Sequence, residues 1–197
     1  MMKPTEVMDK VGDAYLVLNR TSVRDPMTST AIAMIVVLQS KLSDRTISEL
    51  ISNGPSWRER LVGLVLATNR GSPSYIDATI DSFCKQPTGL AFVPAFAALV
   101  VMTGGKPSRA LLERLGKLDR TLFDGDLGWG LDKFLFHVGC SPCDPGGMSP
   151  NDGKSFEDNL EVFKLIKDTQ PEGYGSQVRR TCPSSLPSEK RCESRRH

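Results

Sequence analysis

The sequence is poor in the features that mark membrane spans, secretion or imidazole chemistry. Its longest apolar stretch, Leu90 to Met102, is broken by Pro94 and covers 13 residues, against the roughly 20 that a membrane helix needs. Histidine occurs only at 137 and 197, so catalysis that relies on imidazole would rest on His137, and no Gly-x-Ser-x-Gly elbow accompanies it. The first residues, MMKPTEVMDKVGDAY, lack the basic, apolar and small-residue segments of a secretory signal. Five cysteines without regular pairing suit reduced thiols better than a disulfide framework. Together these absences imply a cytoplasmic protein and no membrane partner. Asn19-Arg20-Thr21 is then a glycosylation acceptor in form only.

An excess of charge is missing as well. Lys and Arg total 25 against 23 Asp and Glu, for a formal charge of +2. Six basic and two acidic residues lie beyond residue 172, which leaves residues 1–172 slightly acidic. A body of that sign is not made to embrace a phosphate backbone, and a nucleic-acid partner is not expected. We read 1–172 as one helical domain, and 173–197, with almost no large apolar residue, as a disordered basic tail.

Clean strand alternation is absent, and nearly every apolar segment has helical spacing, so the fold class is all-α. The spacing predicts helices over Thr5–Leu18, over Thr28–Lys41 (apolar enough to be buried on most sides), and over a short segment capped by Asp44. Ser56 with Glu59 forms a capping box that opens a helix from Trp57, in which Gly63 permits close approach of a neighbour. Pro73 and Pro107-Ser108 open two more helices on either side of an apolar one from Phe92 to Thr103. Asp126–Val138 is another, and Ser155 caps a last helix with Phe156, Leu160, Phe163 and Ile166 inside.

These segments repeat. Gly63 to Thr68 resembles Ala98 to Thr103 at an offset of 35, and Pro73-Ser74 recurs as Pro107-Ser108 at 34. A period of that length, built from an apolar helix, a turn and a charged helix, indicates a short α-solenoid of stacked hairpins. The Trp-Arg-x-Arg-Leu-Val-Gly start at Trp57 to Gly63, the Pro-opened second helix and the alternation of apolar and charged helices resemble HEAT-type helical repeats over residues 28 to 168. The segment Ser56 to Gly63 is similar to bacterial HEAT-like immunity proteins of toxin systems. The resemblance implies a scaffold that binds a protein stoichiometrically, without enzymatic activity or cofactor, and in its narrower form one that neutralises a toxin. It also implies a competing function, because HEAT-like DNA glycosylases use an acidic residue with aromatics on a concave face. Trp57, Tyr75, Trp129, Asp77 and Asp81 supply those residue types.

The expected partner surface lies on the charged helices. Asp77 and Asp81, at i and i+4, place two carboxylates on one helix face, a spacing that costs a few tenths of a kcal/mol and calls for a basic partner, Arg109 or an external protein. Arg109, Glu113, Arg114, Lys117 and Arg120 give the next charged helix a mixed face. We therefore expect Tyr75, Asp77, Asp81, Arg109, Glu113 and Arg120 to form the partner-binding site. His137, Cys140 and Cys143 have spacing that would suit zinc, with Cys182 or Cys192 as a fourth ligand. The prolines and glycines around the two thiols favour a plain loop, and neither metal nor cofactor is expected. Gly125, Gly128 and Gly130 are out of order for a dinucleotide fingerprint and read as a turn into a helix.

Overall fold

A computed structural model describes residues 2–20, 23–85, 91–118, 125–146 and 155–171. The 173–197 segment, with Cys182 and Cys192, and Arg120 lie outside the described residues. Among the described residues there are ten α-helices and no strand: α1 (Pro4–Val11), α2 (Ala14–Arg20), α3 (Pro26–Val36), α4 (Asp44–Asn53), α5 (Trp57–Arg70), α6 (Ser74–Lys85), α7 (Phe92–Met102), α8 (Arg109–Leu115), α9 (Gly125–His137) and α10 (Phe156–Asp168). A 3₁₀ turn, Val37–Lys41, extends α3. None of these helices is long and apolar enough to cross a membrane.

Local chemistry sets most boundaries. Ser56 accepts from the backbone of Arg58 at 3.2 Å and Glu59 accepts from the backbone of Ser56 at 3.1 Å, so the capping box opens α5 as expected. Gly71, at φ 74°, closes it in the left-handed conformation that glycine adopts without a Cβ penalty. Ser108 and Ser155 cap α8 and α10 through the backbone N–H groups of Leu111 and Asp158.

Other boundaries differ from expectation. The first predicted helix is two, because Gly12 turns the chain at φ 52°. The next begins two residues earlier, at Pro26, with Asp25 accepting from Met27 N at 2.8 Å. Ser43 rather than Asp44 caps α4, its hydroxyl accepting from Thr46 N at 3.0 Å, which frees the Asp44 carboxylate for other work.

The core follows the apolar helices. α7 is buried at every residue but Met102, and α5 is buried without a break from Arg60 to Thr68. Side chains such as Phe83, Phe96, Phe134 and Phe163 are almost wholly inside, each worth about 1.5–3 kcal/mol of transfer free energy. Phe83 stacks on Phe96 at 4.7 Å, and Phe96 meets Phe134 at 6.0 Å, so one aromatic line joins α6, α7 and α9. α3 packs on α5, α5 on α7 and α7 on α9, while α4 packs on α5 and α6. α10 then lies across α7, α5 and α3. Asn69 fastens its end to α5, donating to the carbonyls of Ile166 and Thr169 at 2.7 Å each. This placement of α10 joins both ends of the described chain in one core.

Candidate protein-binding face

The face expected to bind a partner is formed by α6 and α8. After the Gly71 turn, the α6 register sends Tyr75, Ala78, Thr79 and Phe83 inward and leaves Asp77 and Asp81 exposed. α8 contributes Arg114, whose guanidinium bridges both aspartates: Nη1 donates to Asp77 Oδ1 and Nη2 to Asp81 Oδ1, the latter at 2.9 Å. The basic partner of the carboxylate pair is therefore Arg114, not Arg109. Arg109 instead pairs with Glu113 along its own helix at 2.9 Å, and both are exposed.

Beneath the bridge lies a cleft of about 220 Å³. Its floor is Ile76, Ile80 and Leu111, and its rim includes Asp77, Ser108 and Arg114. The cleft thus has an apolar floor with charges of both signs at its rim. Exposed ion pairs of this kind are worth about 0–1 kcal/mol.

Tyr75 is not part of this surface. It is wholly buried, and its hydroxyl donates to Asp44 Oδ1 at 2.7 Å. Arg70 donates to the same oxygen at 2.6 Å and to the carbonyls of Gln39 and Leu42 at 2.5 and 3.1 Å. This network joins the 3₁₀ turn, α4, α5 and α6. Burial, and then the bond to Asp44, push the tyrosine hydroxyl up to about 12. The bonds from Tyr75 and Arg70 hold Asp44 below its ordinary carboxylate value.

The second polar cluster surrounds Lys133, a buried ammonium on α9 that reaches Asp144 at 2.7 Å and Glu157 at 3.1 Å. Burial alone would depress the ammonium, but the two carboxylates outweigh it and raise its pKa. The Asp144 carboxyl is lowered, first by the bond from Lys133 and then by the backbone N–H of Gly146. At Glu157, burial pushes upward, and its backbone N–H together with Lys133 overcomes that and lowers it. Trp129 Nε1 donates to Gly146 O at 3.0 Å, so the cluster pins the loop after α9 to α9 and α10.

The candidate metal ligands of the sequence are drawn into this structure differently. His137 stacks on Phe156 at 4.9 Å and turns Nε2 toward Glu157 Oε1 at 3.4 Å. Cys140 and Cys143 are exposed on the loop. Among the described residues no group of three or more His, Cys, Asp or Glu side chains could hold a metal ion.

Arg114 and the apolar floor are the site residues that the sequence reading left out. Arg114 belongs to the mixed charged face expected after Pro107, but which basic residue of that face meets α6 depends on how the two helices cross. Comparison with family models, curated proteins and solved structures finds no match for this chain.

Proposed function

We propose that this chain is a stoichiometric protein-binding module whose recognition face is the cleft between α6 and α8. The observation that carries the reading is the apolar floor of Ile76, Ile80 and Leu111 under the Asp77, Asp81 and Arg114 bridge. In its finer form the module is a short HEAT-like α-solenoid. The succession of α3, α5, α7 and α9, with α4 on α6, supports that form, and α10 is an additional layer across it. The narrower identity, an immunity protein that covers a toxin's active site, rests on the resemblance of Ser56 to Gly63.

The glycosylase reading finds less support. Trp57 packs edge-on against Tyr15 at 5.6 Å, Tyr75 is buried, and the Trp129 indole is bonded to Gly146. Those aromatics are engaged in packing rather than presented beside Asp77 and Asp81.

The test is affinity capture from the native host lysate with the full chain and with an Asp77→Lys/Asp81→Lys/Arg114→Glu exchange. The exchange keeps opposite charges facing each other between α6 and α8 and inverts their polarity at exposed positions, so it spares the fold while reversing the charges of the rim. One protein retained at equal stoichiometry by the wild type, and held at least about tenfold more weakly by the exchange, is the expected result. Equal retention by both chains would remove the α6–α8 rim from the interface.

A further inference from the structure

Among the described residues, the large apolar side chains left exposed lie on one stripe. Met27, Met34 and Val37 are 60 %, 41 % and 42 % exposed. With Thr30 they recur along α3 and the 3₁₀ turn at intervals of three, four and three residues, the spacing at which one helix seats another along a seam. The opposite side of α3, with Thr28, Ala31, Ile32, Ile35 and Val36, is already buried in the core. The stripe is therefore a second apolar face, left over after α3 has packed on α2, α5 and α10. Beside it runs a groove of about 450 Å³ between α3 and the α1–α2 turn, with Val11, Ala14 and Val17 on its far wall. Methionine side chains on such a surface adapt to the shape of whatever enters.

Charge selects the occupant. From Pro26 to Val36 α3 has no charged side chain, and the rim of the groove carries one charge of each sign, Lys10 and Asp13. A helix that lies along the stripe must itself be uncharged on that face, or it strands a charge against an apolar wall. α3 meets this requirement. Of the described helices only α3 and α7 lack charged residues, and α7 is buried. Thr30, the polar member of the stripe, directs its hydroxyl to the carbonyl of Pro26 at 3.4 Å, so it can be covered without losing a partner.

We infer that the stripe is a two-fold interface between copies of this chain, in which α3 packs antiparallel against α3 of a second copy. Two-fold symmetry about the middle of the stripe sets Met27 beside Val37 of the second copy and Thr30 beside its Met34. The antiparallel arrangement also opposes the two helix dipoles favourably. None of the residues of the α6–α8 cleft is used, so a dimer presents that cleft twice.

Sedimentation equilibrium of the full chain from about 1 μM to about 1 mM tests the inference, with Thr30→Glu and Met34→Lys as variants. Both positions are exposed, and a melting temperature unchanged at the lowest concentration, where the wild type is monomeric, confirms that each variant folds. The wild type is expected to move from 21.6 kDa toward twice that mass. Each variant alone is expected to shift the transition at least about tenfold upward in concentration. An equimolar mixture of the two restores it, because the carboxylate introduced in one copy then meets the ammonium introduced in the other. A wild type that stays monomeric overturns the inference and leaves the stripe to a different protein. A dimer that neither variant weakens uses another surface, and a mixture that fails to restore association excludes the antiparallel register.

Discussion

Tyr75 and Lys133 are polar groups drawn into the interior, and each makes stability depend on pH. Tyr75 has a folded pKa of about 12 against an ordinary 10.0. The unfolded chain loses this proton first, so the folded state binds more protons between those values and stability falls as pH rises through them. Urea unfolding at intervals from pH 9 to 12 should show that loss in the wild type. Tyr75→Phe should lack the tyrosine share of it and cost about 1 kcal/mol at pH 7 through the missing hydrogen bond. Asp44, Asp144 and Glu157 are shifted the other way. Their contribution is present above the ordinary carboxylate range and is lost as pH falls through their lowered values. Lys133→Met replaces a buried ammonium by an apolar chain of similar length, so stability at neutral pH should change by less than about 2 kcal/mol. Its effect should appear in hydrogen exchange, as faster exchange over residues 139–146, and in a shallower acid limb. No periodicity rule assigns a lysine to a core. Lys133 was hidden from sequence reasoning because its two carboxylates come from a loop and a later helix.

Helix starts and inner stripes were legible in the sequence because they depend on neighbours in the chain. The capping box at Ser56, the Ser108 and Ser155 caps and the inner stripe of α10 are all local patterns. Gly12 was legible only as a residue type, since its positive φ, which splits the first helix, comes from where α1 and α2 each pack. The apolar α3 was expected to be buried on most sides, yet Met34 and Val37 face outward. Hydrophobicity alone does not say how many neighbours a helix has. Gly63 is a position where the expectation and the structure meet: an added Cβ would lie 2.8 Å from Ile51 Cγ1 and 2.9 Å from Ile51 N. Gly63→Ala should therefore destabilise the chain by about 1–3 kcal/mol in chemical unfolding, despite the better helix propensity of alanine. At Gly130 the Cβ would meet Phe96 Cδ2 at 2.9 Å, a close approach of α9 to α7 that the glycine-rich run did not announce.

At the scale of the whole molecule, the two segments related by the 35-residue offset, Gly63 to Thr68 and Ala98 to Thr103, lie in α5 and α7, which pack on each other. The return of α10 across α3, α5 and α7 could not be read from that offset, because it depends on contacts separated by about a hundred positions, such as Asn69 with Thr169. The candidate face was legible in part. Asp77 and Asp81 share an exposed side of α6 as their spacing required, Tyr75 is inside, and Arg114 supplies the bridge. Charge type and helical register are local properties, whereas the pairing of one arginine with two aspartates more than 30 residues away is set by the crossing of α6 and α8. The most direct measurement of the central claim is hydrogen exchange by mass spectrometry on the complex recovered by affinity capture, compared with the free chain. Slowed exchange over residues 74–85 and 109–118 is the predicted result, and protection confined to other helices would contradict the assignment of the α6–α8 cleft as the binding face.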